Sequence, residues 1–213
     1  MSAAEKLPPP KDPNVGRRLG LEAWMDLCET TGVPYERTGG VVTRPPEGMS
    51  GAAPEHNFAK DDFANRLQGF LEAAGDECSS FSSDQAVHIE AYNKDVYPDA
   101  SAFCGRPEYL IDGGKKALVN PCLIVEVWSP STKAYDSTDK FRMYQSLDSL
   151  REYVLIDPRP AFVSRFRRQE TGWLMTPFSS LDDVLDLESV GVSVPLADIY
   201  RRVMLFGDSD AGE

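Results

Sequence analysis

No apolar run in this 213-residue chain approaches the ~20 residues that a membrane-crossing helix needs. The opening stretch, MSAAEKLPPPKDPN, has none at all, so no secretory signal peptide and no membrane partner are expected. Histidine is scarce, with only His56 and His88. The four cysteines, Cys28, Cys78, Cys104 and Cys122, form no CxxC pair, which argues against a zinc site. They read as reduced, buried, small apolar residues of a cytoplasmic protein. Basic charge is short as well: 22 Lys+Arg stand against 34 Asp+Glu, a net charge of −12. Asp208, Asp210 and Glu213 supply three of those charges and leave −9 on the rest. Such a body is a poor general nucleic-acid binder, because phosphates are neutralised by clustered Lys and Arg. A local basic or metal-charged cleft stays compatible with it.

What is present is ordinary globular material. A hydrophobic fraction of 41% with 26% charged residues excludes wholesale disorder. The length suffices for a core without metal or disulfide staples. Residues 1–16 are proline-rich and read as a flexible leader, 17–206 as one domain, and 207–213 as an acidic tail. Apolar spacing predicts a helix from Leu21 to Cys28 and a second from Pro54 to Ala74. Gly39-Gly40 predicts a hairpin over 35–43. Strands are expected at 85–91, 95–104, 122–128, 153–157, 162–166, 173–177 and 192–195, with a loop over 106–120. Further helices are expected at 136–147 and 196–205. Helices interspersed with strands and hairpins indicate an α/β or α+β layer fold.

Several residues break the local rules. Glu126 is a lone carboxylate inside Cys122-Leu-Ile-Val-Glu-Val-Trp128, and a buried carboxylate needs a partner, a metal or a proton. The plainer alternative is a strand-end acid paired with an arginine. On the helix at 136–147, setting Lys140 at zero places Tyr144 at about +40°, Leu147 at about −20° and Met143 at about −60°. Lys140 therefore lies in the apolar stripe. It either snorkels to water or aims at a carboxylate or a phosphate. Asp99 follows Pro98 at the opening of a strand, where simple turn chemistry is the alternative. His56 precedes Phe63 by one heptad on the buried stripe of the second helix and reads first as a hydrogen-bonded core residue. Glu36, early in the first hairpin, reads first as a solvated edge charge.

Asp99, Glu126 and Lys140 combine into one chemistry. Two carboxylates from adjacent strands can hold a hard divalent cation such as Mg²⁺. The cation can polarise a phosphoryl oxygen and acidify a water, and an ammonium beside it can stabilise phosphate charge.

The ordered run Tyr97-Pro98-Asp99, Asn120-Pro-Cys-Leu-Ile-Val-Glu126-Val-Trp-Ser-Pro-Ser-Thr132, Tyr135-Asp136, Lys140-Phe-Arg-Met-Tyr144 and Glu152-Tyr-Val-Leu-Ile-Asp157 resembles the Uma-two restriction endonuclease family of bacteria. Met49-Ser-Gly-Ala-Ala-Pro-Glu-His56 is similar to that family's upstream segment. The resemblance runs from about Leu21 to Trp173 and implies a PD-(D/E)xK, restriction-endonuclease-like core: an α/β (α+β) fold with a central mixed sheet flanked by helices. It implies Asp99 and Glu126 as ligands of Mg²⁺ or Mn²⁺, with the Val127 carbonyl facing the metal. It also implies Lys140 as the ammonium, because Trp128 stands where the wider superfamily has its lysine. Glu36 and His56 match recurrent positions of the family, which implies a place for both in the lining of the cleft. The implied activity is endonucleolytic hydrolysis of DNA. The alternatives are a nuclease-fold interaction protein that cleaves nothing, or a subunit that needs a separate DNA-targeting partner. A homodimer suits the cutting of two strands.

Overall fold

A computed structural model describes residues 12–44, 53–75, 77–128, 136–159 and 161–206. The larger sheet has six strands in the order β12-β11-β10-β9-β6-β3. They are β3 (Cys78–Ser82), β6 (Ala100–Cys104), β9 (Leu123–Val127), β10 (Glu152–Asp157), β11 (Phe162–Arg168) and β12 (Trp173–Phe178). β9 runs parallel to β10 and antiparallel to β6. It is buried along its whole length, as its unbroken apolar run predicts for a strand covered on both faces.

Side chains alternate across a strand, so β9 feeds two cores. Leu123, Val125 and Val127 join the first, beneath α2 (Pro54–Ala74) and the hairpin of β13 (Val184–Leu187) and β14 (Val192–Pro195). Ile124 and Trp128 join the second, with Tyr144, Tyr153 and Leu155. That face meets α3 (Phe141–Tyr144) and the smaller sheet.

The smaller sheet also has six strands, in the order β2-β1-β5-β4-β8-β7. These are β1 (Glu36–Thr38), β2 (Val41–Thr43), β4 (Val87–Ile89), β5 (Lys94–Val96), β7 (Tyr109–Asp112) and β8 (Lys115–Leu118). α1 (Leu21–Thr31) covers it through Leu21, Trp24, Met25 and Cys28. Gly39 and Gly40 both take positive φ, 57° and 79°, as a two-residue hairpin turn requires. α4 (Leu196–Ile199) and α5 (Arg201–Phe206) close the described chain.

The mixed sheets with flanking helices agree with the expected α+β class. Several details differ from the sequence reading. The region 106–120 is not a loop but the β7–β8 hairpin. Its turn is pressed against α1: a Cβ on Gly113 would come within 2.0 Å of Glu22. The Glu22 amide, with no cap of its own, donates to Asp112 Oδ2. The stretch 95–104 is two strands in different sheets, because the chain breaks at Tyr97-Pro98-Asp99. The helix at 136–147 is shorter: a π-helical turn, Asp136–Lys140, leads into α3.

The cysteines correct the expectation most directly. Cys78 stands opposite Cys104 in the β3–β6 register, with Cα atoms 4.0 Å apart, and the two form a disulfide. Cys28 and Cys122 are free thiols. Of the expected leader, residues 1–11 lie outside the described residues. Asp12 and Asn14 hydrogen-bond to the Tyr35 hydroxyl. The expected tail, 207–213, and the motif segments 49–52 and 129–135 also lie outside them. No helix among the described residues is long and apolar enough to cross a membrane.

Candidate functional site

β6 and β9 set the positions of the two acids. Their register pairs Ala100 with Val125 and Ser101 with Ile124. Extended by one residue, it places Asp99 opposite Glu126, and directly opposed residues share a sheet face. Asp99 Oδ2 accepts the Val127 N–H at 2.7 Å. The acid that opens β6 is thus fastened to the end of β9.

Glu126 is 1% exposed and Lys140 2%. Lys140 Nζ lies 2.7 Å from Glu126 Oε1. Tyr144, one helical turn on, donates its hydroxyl to the same oxygen at 2.9 Å. Lysine is the partner, so neither snorkelling nor an arginine pair describes the site. Burial, with Glu126 beside it, pushes the Tyr144 hydroxyl well above its ordinary pKa. Tyr144 therefore stays protonated and remains a donor. The π-helical turn ends on Lys140, a type of irregularity frequent at functional sites.

His56 reaches the site from the first turn of α2. Its Nε2 donates to the Val127 carbonyl at 2.9 Å and stands 3.8 Å from Asp99 Oδ2. Its Nδ1 is buried with no hydrogen-bond partner. Glu36 is not a solvated edge charge. It is buried on β1 with Lys94 Nζ 2.6 Å from its Oε2, close enough to Tyr144 to help raise that hydroxyl's pKa.

The fold thus gathers Asp99, Glu126, Val127, Lys140 and His56 at the end of β9, with Glu36 beyond Tyr144. The sequence reading missed Tyr144 and Lys94 as members. It treated Tyr144 as one more apolar stripe residue, although its one-turn offset from Lys140 was on the page. It also missed the buried cluster beside Lys94, where Asp95 takes Arg37 Nη2 at 2.7 Å and His88 Nδ1 at 2.9 Å.

The residues that could hold a metal, Asp99, Glu126 and the Val127 carbonyl, offer only oxygen, the ligand a hard divalent cation prefers. Among the described residues, the hydrogen bond of Asp99 runs through Oδ2. Among the described residues, no three His, Cys, Asp or Glu side chains form a metal-holding group on their own.

Residues 21–197 match the model of the Uma2 family, whose description is "putative restriction endonuclease". The chain belongs to this family. Uma2 membership agrees with the restriction-endonuclease-like α+β fold and points to a nuclease function. Among its relatives is the uncharacterized protein slr1290 of Synechocystis, 29% identical over 72% of this chain and 78% of the relative. A second Synechocystis relative, the uncharacterized protein sll1609, is 30% identical over 60% of this chain and 71% of its own length.

Proposed function

We propose that this chain is a divalent-metal-dependent endonuclease that hydrolyses phosphodiester bonds of DNA in the cytoplasm. The observation that carries the reading is the convergence of Asp99, Glu126 and Lys140 on one end of β9, supported by the family match. Asp99, Glu126 and the Val127 carbonyl would hold Mg²⁺ or Mn²⁺, which would polarise the phosphodiester and acidify a water. Lys140 and Tyr144 fix the Glu126 carboxylate in one orientation. The Lys140 ammonium adds positive charge where phosphate charge develops. His56 holds the Val127 carbonyl in place and closes the side facing α2.

The test is cleavage of plasmid DNA with Mg²⁺ or Mn²⁺ by the wild type and by Asp99→Asn, Glu126→Gln and Lys140→Met. Cleavage by the wild type alone is expected; equal activity in all four rejects the reading. A second reading is a nuclease-fold protein that binds partners without cleaving, favoured by the net charge of −12. Titration with Mn²⁺ separates the two. Binding that is lost in Glu126→Gln favours the enzyme; no binding by the wild type favours the silent protein. Homodimerisation or a separate DNA-targeting subunit would add positive surface to a chain whose net charge is −12.

A further inference from the structure

Beside the acids lies a cavity of about 420 Å³, within the ~300–1,000 Å³ range of ligand pockets. It is lined by His56 and Asp99, so it reaches one of the two acids proposed to hold the metal. Lys60 follows His56 by one turn of α2, on the same helical face.

Among the described lining residues, Lys60 is the only lysine or arginine. Its commitments are weak: its Nζ stands 3.5 Å from Ser83 Oγ and 4.0 Å from Asp61 Oδ1. Lys140 and Lys94, by contrast, are locked to carboxylates at 2.7 Å and 2.6 Å. Three acids also line the cavity: Glu29, paired with Lys115 at 2.5 Å, Asp99, which accepts the Val127 N–H, and Asp84, the neighbour of Ser83. One loosely held cation can neutralise one phosphate. It cannot track a duplex, which needs a row of them.

Part of the lining is apolar and aromatic. Val33 and Pro34 form that part together with Tyr97. One face of the Tyr97 ring is stacked on Trp24, with centroids 5.1 Å apart and planes 27° apart. One ammonium, an aromatic and apolar surface and a lining that reaches Asp99 match the parts of a nucleotide.

The geometry points to this cavity as the subsite for one nucleotide of a single strand, with its phosphate on Lys60 and Ser83 and its base against Val33, Pro34 and Tyr97. The inference rests on the nuclease reading and names the part of the substrate next to the bond that is cut.

The test uses the full chain in EDTA, where nothing is cleaved, and calorimetric titration with thymidine 5′-monophosphate, thymidine and inorganic phosphate. The monophosphate is expected to bind at least about tenfold more tightly than either fragment. Lys60→Ala should lose about tenfold or more of that affinity, as removal of a charge-assisted hydrogen bond implies. Lys60→Arg should restore most of it. Unchanged thermal unfolding in Lys60→Ala would separate the loss from misfolding. No binding of the monophosphate, equal affinity in Lys60→Ala, or phosphate alone binding as well would each overturn the subsite. Failure of the nuclease reading looks different: the monophosphate binds through Lys60, yet the wild type cleaves nothing with Mg²⁺ or Mn²⁺.

Discussion

His56 donates its Nε2 proton to the Val127 carbonyl across 2.9 Å, and the same nitrogen stands 3.8 Å from Asp99. A carbonyl oxygen has two lone pairs, so it can accept this bond and still face a cation, and the imidazole holds it in that orientation. Such a bond contributes about 1 kcal/mol net, so His56→Ala should bind Mn²⁺ about fivefold more weakly. Mn²⁺ titration followed by electron paramagnetic resonance checks this. Unchanged or tighter binding in the variant would show that the imidazole does not position the carbonyl.

The buried Glu126–Lys140 pair predicts a second result. Removing one partner of such a pair strands the other charge and costs about 3–5 kcal/mol. Lys140→Met should lower stability by that amount in urea unfolding. The double variant Lys140→Met/Glu126→Gln should recover part of the loss. Tyr144→Phe removes a hydrogen bond to a charged group and should cost about 1.5–3 kcal/mol.

The Cys78–Cys104 bridge closes a segment with a sequence separation of 26. Loop-closure entropy for that length predicts ~3.5 kcal/mol of stabilisation. Urea unfolding with and without reductant measures it, and Cys104→Ser should match the reduced wild type. Cys122 Sγ lies 3.8 Å from Cys104 Sγ, so a 104–122 bridge is the expected product of exchange. Burial pushes the Cys122 thiol up to about 11. Because the thiolate is the attacking form, exchange should be slow near neutrality and quicken as pH rises. Peptide mapping after incubation across the pH range would show it.

Burial also pushes the Cys28 thiol from 9.0 to about 11. Both thiols release their protons more readily in the unfolded chain than in the folded one. Between pH 9 and about 11 the folded state therefore holds more protons than the unfolded state, and stability falls as pH rises. Below pH 9 their contribution is fully present. Cys28→Ala should flatten the decline in a series of denaturation midpoints across that window.

Particular elements explain what could be read beforehand. β9 was legible because its apolar run is continuous, and Glu126 stood out against it. The inward direction of Lys140 followed from helical spacing alone. β3, Cys-Ser-Ser-Phe-Ser, escaped because it is polar and forms an edge, so it carries neither an apolar run nor a clear alternation. The β7–β8 hairpin escaped because its turn glycines look like those of any loop. The pairs Glu36–Lys94 and Arg37–Asp95 escaped for a different reason. The second joins residues 58 positions apart, and such partners are set by strand register rather than by local pattern.

β9 is flanked by β6 from earlier in the chain and β10 from later. Glu126 leaves water only when both neighbours have closed on it. A ribosome must therefore extrude the polypeptide past Asp157 before this carboxylate can be sealed away. Until then a nascent chain holds Asp99, Glu126 and Lys140 unassembled, and a product truncated before β10 would lack one of the two strands that flank Glu126.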